Sequence, residues 1–159
     1  MMKQVKNKII SQKYPSKKRN KPRGKKRSHP QYGTSNLERR FASDYLDVLG
    51  VEYVYQFEAK DIGRFYDFYL PNDNLIIEVD GDYYHSYGLT YEQMCPMQKR
   101  NKRVDELKDK WALMHSIPIL RFWEHDINDN PEFVFKKLKE MIQIQSKNKI
   151  MMEKKKKPH

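Results

Sequence analysis

Cysteine is almost missing: Cys95 is the only one in 159 residues. A single thiol closes no intrachain disulfide and cannot fill a zinc site that needs two or more cysteines from one chain. Long apolar runs are missing as well. No stretch approaches the roughly 18 apolar residues of a membrane span, and the polar first residues lack the apolar stretch of a secretory signal, so a cytoplasmic protein is expected. Acid is missing from one region, since residues 1–33 hold 12 Lys and Arg and no Asp or Glu.

What is present is unevenly placed. The formal net charge is +11, yet residues 34–146 carry 14 basic and 20 acidic residues, and residues 147–159 carry six basic residues against Glu153. The central region alone would repel a polyanion; the ends would have to attract it. The first 33 residues, with Lys17, Lys18, Arg19, Arg23, Lys25, Lys26 and Arg27 broken by Pro15, Pro22 and Pro30, hold too little apolar surface to offset the entropy of ordering. They read as a disordered polycationic arm. Cations set against phosphates release counterions and give salt-sensitive, sequence-blind affinity, which favours nucleic acid as partner over an acidic protein or a lipid surface. Three parts follow: a basic arm over 1–33, one domain over 34–146 and a basic tail over 147–159.

Within the domain, Ser35 and Glu38 form a capping-box pattern ahead of Leu37, Phe41, Tyr45 and Val48 or Leu49, which recur at helical spacing until Gly50. Val51, Tyr53, Tyr55 and Phe57 alternate as a strand. Residues 64–70 and 74–80 read as two more strands joined by Pro71-Asn72-Asp73. Val104, Leu107, Trp111 and Met114 mark a second helix over 99–114, residues 117–123 a fourth strand, and Asn130-Pro131 opens a last helix with Val134, Leu138, Met141 and Ile142 facing inward. The order suits an α/β fold, a small mixed sheet flanked by helices.

Carboxylates on a buried strand need something to offset their desolvation. Alternation over 75–80 places Ile76, Glu78 and Asp80 on one face and Leu75, Ile77 and Val79 on the other, and Asp67 on the neighbouring strand is placed to meet the acids. Converging oxygens favour Mg²⁺ or Mn²⁺, which act on phosphodiesters as Lewis acids. Spacing equally allows solvated ion pairs of Asp67 or Glu78 with Arg39, Arg40 or Arg64. His85 follows just beyond the carboxylates, where a general acid or base would be useful, and Asp105 is placed to orient its imidazole. Tyr83 and Tyr84 read either as packing residues or as rings that stack on bases.

In order, Glu38, Asp67, the segment Val79-Asp80-Gly81-Asp82-Tyr83-Tyr84-His85, Asn101 to Asp105, and Leu120-Arg121-Phe122-Trp123-Glu124 resemble the very-short-patch repair endonucleases of the PD-(D/E)xK nuclease fold, together with phage and intron homing endonucleases of the E-D-x-H-D type. The resemblance spans about 34–127 and implies a restriction-endonuclease-like core. It implies that Asp67 is the central metal ligand, that the Val79 carbonyl supplies another oxygen, and that His85 with Asp105 activates water. Glu38 would help hold metal-associated water, and Tyr83 and Tyr84 fall where the repair enzymes carry aromatics that enter the DNA stack. Three features depart from the pattern: Asp80 stands where the repair enzymes carry a histidine and standard members a lysine, Glu78 stands where they carry an apolar residue, and their structural zinc cluster is absent. Catalytic roles are therefore expected for Glu38, Asp67, Asp80, His85 and Asp105, and metal ligation from Asp67, Glu78, Asp80 and Val79.

The resulting expectation is a Mg²⁺- or Mn²⁺-dependent endonuclease acting on double-stranded DNA, of a homing type encoded by a phage in a bacterial host. Alternatives are a mismatch-directed nicking enzyme and a non-catalytic DNA-binding protein that keeps the nuclease fold. A chain of this size reads few base pairs alone, so a homodimer or a long arm contact would extend its site.

Overall fold

Ser35 starts the first helix because its side-chain oxygen accepts a hydrogen bond from the Glu38 amide at 3.0 Å, satisfying one of the first turn's orphan donors. The computed structural model describes residues 35–156. Helix α1 (Asn36–Phe41) passes without a break into a π-helical stretch (Ala42–Leu46) and α2 (Asp47–Leu49), and Gly50 closes it in the left-handed region at φ 64°. The capping box is only half formed. The Glu38 carboxylate turns to the sheet, accepting from Tyr55 Oη at 2.6 Å and Gln56 Nε2 at 3.1 Å.

Strands β1 (Val54–Ala59), β2 (Arg64–Leu70) and β3 (Leu75–Asp80) follow as an antiparallel meander. A 3₁₀ turn (Tyr91–Gln93) and the long helix α3 (Pro96–Met114) carry the chain to β4 (Ile119–Trp123), which pairs parallel with β3. The short α4 (Glu124–Asp129) and α5 (Pro131–Lys156) complete the order. The molecule is a mixed α/β fold with a four-stranded mixed sheet in the order β1-β2-β3-β4. The expected succession of helix, three strands, helix, strand and helix is present, with α4 as an unforeseen addition. No described helix is long and apolar enough to cross a membrane.

Alternation along β3 holds as expected. Leu75, Ile77 and Val79 pack with Phe41, Phe68 and Phe122 on the face covered by α1 and α5, while Ile76 packs with Tyr66 and Trp111 on the face covered by α3. Phe41 lies 5.8 Å from Phe68 and 5.3 Å from Phe122, ring centre to ring centre, and each of these fully buried rings contributes about 2–3 kcal/mol of burial.

The β1–β2 hairpin does not keep its faces. Tyr55 and Phe68 belong to the α1 side, whereas Phe57 and Tyr66, two residues further on each strand, belong to the α3 side. The switch falls at Gln56 and Asp67. Gln56 has φ 54° inside β1, and one left-handed residue turns the strand over.

One expectation about helices needs correction. Leu107 and Met114, assigned to the buried stripe of the second helix, are 39% and 73% exposed. The buried residues of α3 are Trp111 and Ala112, which pack in the apolar cluster with Tyr66 and Ile76, and Gln98, which is bonded to the Tyr83 carbonyl. The basic residues 147–156, assigned to a tail, continue α5, with Ser146 Oγ bonded to Asp73 at 3.3 Å and Lys149 Nζ to the Asn72 carbonyl at 3.3 Å. The arm over 1–33, with its seven named cations, lies outside the described residues.

Candidate functional site

One transverse row of the sheet is polar. Tyr55 opposes Phe68 and Phe57 opposes Tyr66, which sets Gln56 across from Asp67; Phe68 opposes Ile77, which sets Asp67 next to Glu78; and Glu78 is in register with Arg121. Regular β2–β3 pairing covers only Phe68–Leu70 against Leu75–Ile77, and beyond it the side chains substitute for the backbone ladder. The Val79 amide donates to Asp67 Oδ2 at 2.7 Å and the Asp67 amide to Glu78 Oε2 at 3.2 Å. These crosslinks join the two strands through both carboxylates where the regular backbone pairing stops.

Asp67 keeps some surface open, but protein crowds its carboxyl group. Burial pushes that carboxyl well above the usual carboxylate range, and the charges of Glu78 and Glu38 push the same way, opposed by Lys108 and the Val79 amide. Burial also raises Glu78, against the pull of Lys108, whose Nζ pairs with Glu78 Oε1 from α3. Neither carboxylate pairs with Arg39, Arg40 or Arg64 among the described residues; Arg40 instead reaches Asn128 at 3.0 Å and Arg64 the Gly63 carbonyl at 3.1 Å.

Asp80 meets a different set of partners. Arg121 Nη1 lies 3.2 Å from Asp80 Oδ2, and Arg121 Nη2 lies 2.6 Å from Asp109. His85 Nδ1 is 2.9 Å from Asp105 Oδ2 and 3.8 Å from Asp80 Oδ1, so the expected His85–Asp105 pair is brought together and Asp80 stands beside it. Burial lowers the imidazole pKa, but the Asp105 hydrogen bond and the Asp80 charge outweigh it and leave His85 above its ordinary value. The loop carrying His85 is fixed from α3: Gln98 Nε2 donates to the Tyr83 carbonyl at 2.7 Å and Asn101 Nδ2 to the Tyr84 carbonyl at 3.1 Å.

Tyr83 and Tyr84 are 65% and 58% exposed, edge to face at 5.4 Å, so they are surface rings and not packing residues. On the far side of the loop His125 Nδ1 meets Asp82 Oδ1 at 2.8 Å, with its ring centre 4.4 Å from that of Tyr87.

The expected ligand set is not gathered as one cluster. Among the described residues no three Asp, Glu, His or Cys side chains stand where they would hold a metal ion, because Asp80 is committed to Arg121 and His85 while Asp67 and Glu78 engage backbone amides and Lys108. The Val79 amide is bonded to Asp67, which sets the Val79 backbone beside that carboxylate. The chemistry of the remaining donors does fit a hard divalent cation. Asp67 and Glu78 are adjacent carboxyls with Glu38 nearby, and burial is the main cause that raises both, so a hard divalent cation would offset the cost of ionising them there.

Sequence reasoning missed Lys108, Arg121, Gln56 and Gln98. Lys108 sits three residues from both Asp105 and Trp111 and so shares their helix face, and Arg121 alternates with the buried Leu120 and Phe122 of β4; both signals were legible. No protein-family model, curated protein or solved structure matches this chain.

Proposed function

We propose that this chain is a divalent-metal-dependent DNA endonuclease with a restriction-endonuclease-like core, hydrolysing phosphodiester bonds in the manner of a phage homing enzyme. The observation that supports the reading is the adjacent pair Asp67–Glu78, with Lys108 against Glu78 and the His85–Asp105 pair close by around Asp80. Asp67 and Glu78 would hold Mg²⁺ or Mn²⁺, which when bound supplies Lewis acidity at the scissile phosphate. His85 Nδ1 is occupied by Asp105, so Nε2 is the nitrogen free to take a proton from attacking water. Tyr83 and Tyr84 offer exposed rings to the bases, and the basic arm carries the chain to double-stranded DNA in the bacterial cytoplasm.

One observation favours a second reading, a DNA-binding protein that keeps the scaffold without the chemistry: Lys108 and Arg121 already neutralise Glu78 and Asp80. Supercoiled DNA incubated in Mg²⁺, Mn²⁺ or EDTA separates the two. The nuclease reading expects metal-dependent nicking or linearisation by the wild type and its loss in Asp67→Ala, with DNA affinity kept. Binding without turnover in any metal, on DNA containing varied sequence, establishes the second reading. Acceleration by a T·G mismatch would mark a mismatch-directed nickase in place of a homing enzyme.

A further inference from the structure

Four described residues other than glycine have positive φ: Gln56, Asn74, Ser86 and Ser116. Asn74, Ser86 and Ser116 lie in turns, where such backbone is common. Gln56 alone lies inside a strand, where an L side chain in the left-handed region is held only by surroundings that over-determine it. Those surroundings are specific. The residue stands across from Asp67, its Nε2 donates to Glu38 Oε2 at 3.1 Å, and on either side of it the β1–β2 hairpin packs on opposite faces of the sheet.

We propose that Gln56 is a positioning residue of the metal site: its left-handed backbone turns the hairpin over at Asp67, and its amide fixes the Glu38 carboxylate beside that acid. The inference rests on the metal-site reading above. Together with Tyr55, whose Oη donates to the same Glu38 oxygen at 2.6 Å, it accounts for two otherwise separate facts, that Glu38 abandons its capping box and that Glu38 is among the charges acting on Asp67. An ordinary strand residue here would keep the hairpin on one face and leave the Glu38 carboxylate to Tyr55 Oη, without the amide that ties it to the strand position across from Asp67.

The test is calorimetric titration of Mn²⁺ into the full-length wild type, Gln56→Gly, Glu38→Gln and the double variant, with thermal melts of each. Glycine accepts φ 54° freely, so Gln56→Gly should melt within a few degrees of the wild type, yet bind Mn²⁺ about tenfold more weakly, the usual range for a lost supporting contact at a metal. Because Gln56 acts through Glu38, the double variant should bind no more weakly than Glu38→Gln alone. Unchanged affinity, additive losses, or weak binding only in variants that melt much lower each overturn the proposal. Gln56→Asn, a residue type that tolerates the left-handed region but has a shorter reach, supplies the comparison if glycine loosens the strand. A wild type that binds no Mn²⁺ overturns the metal-site reading and this inference with it. One that binds Mn²⁺ and cuts no DNA defeats the nuclease reading alone, with Gln56 still judged by the affinity ratio.

Discussion

His85 stands between two carboxylates of different commitment. Asp105 is bonded to it, whereas Asp80 is already shared with Arg121 and acts through space. With its net shift upward, His85 stays protonated to a higher pH than a free imidazole and contributes stability below the ordinary value of about 6.5 that is lost as pH rises through the shifted one. On the nuclease reading His85 is the base and must be neutral to act, so nicking should rise with pH through a step above about 6.5. Asp105→Asn removes one of the groups holding the imidazole up. The step should then move to lower pH while the maximal rate falls about 10²-fold or more, from loss of the correctly held tautomer. Rates across pH 5.5–9 for both proteins check this, and a step that stays in place would assign the ionisation to another group.

At the scale of elements, α3 is the part whose role is least ordinary. Its inward face presents Gln98, Asp105, Lys108 and Trp111, so a periodicity search that follows apolar residues drifts onto the exposed Leu107 and Met114. The strand over 75–80 was legible because one side of it meets an apolar layer without exception, and its two-residue alternation therefore reports its faces. The face switch in β1 and β2 was not legible. Residue type does not announce a left-handed glutamine, and Tyr55 and Phe57 look alike in sequence while packing on opposite sides. The short α4 was hidden for a different reason: one and a half turns of Glu124–Asp129 leave no room for an apolar period. What α3 contributes energetically can be measured at Lys108. Lys108→Met leaves Glu78 buried without its cation, which should cost about 3 kcal/mol near pH 8, or roughly 10 °C in melting midpoint for a domain of this size. Glu78 already has a raised folded-state pKa and would then rise further, so the loss should shrink as pH falls toward about 4.5 and the carboxyl takes a proton. Adding Glu78→Gln to the Lys variant should recover most of the lost midpoint at pH 8, as measured by melts across pH, and no recovery would show that Lys108 stabilises by packing on Tyr66, 4.9 Å from its Nζ.

For the whole molecule, charge is divided between the parts and not blended. Residues 34–146 carry an excess of acid, while the first 33 residues carry 12 cations with no acid among them. A polyanionic substrate approaching the carboxylates of β2 and β3 would be repelled unless cations elsewhere hold it, so affinity and chemistry should be separable by deletion. Removing residues 1–33 should weaken DNA binding at low salt and flatten the slope of log affinity against log salt, by up to about 10 if every cation meets a phosphate and by several units for partial engagement. Asp67→Ala should leave that slope unchanged, because a lost acid releases no counterions from DNA. Fluorescence anisotropy over a salt series on both variants measures this directly. An unchanged slope after deletion would move the phosphate contacts onto the core, where Arg100, Lys102 and Arg103 are exposed along the first turns of α3, the helix that also fixes the loop of Tyr83 and Tyr84. In that case the same element would both grip the backbone and present the aromatic rings, and the arm would serve association rate more than affinity.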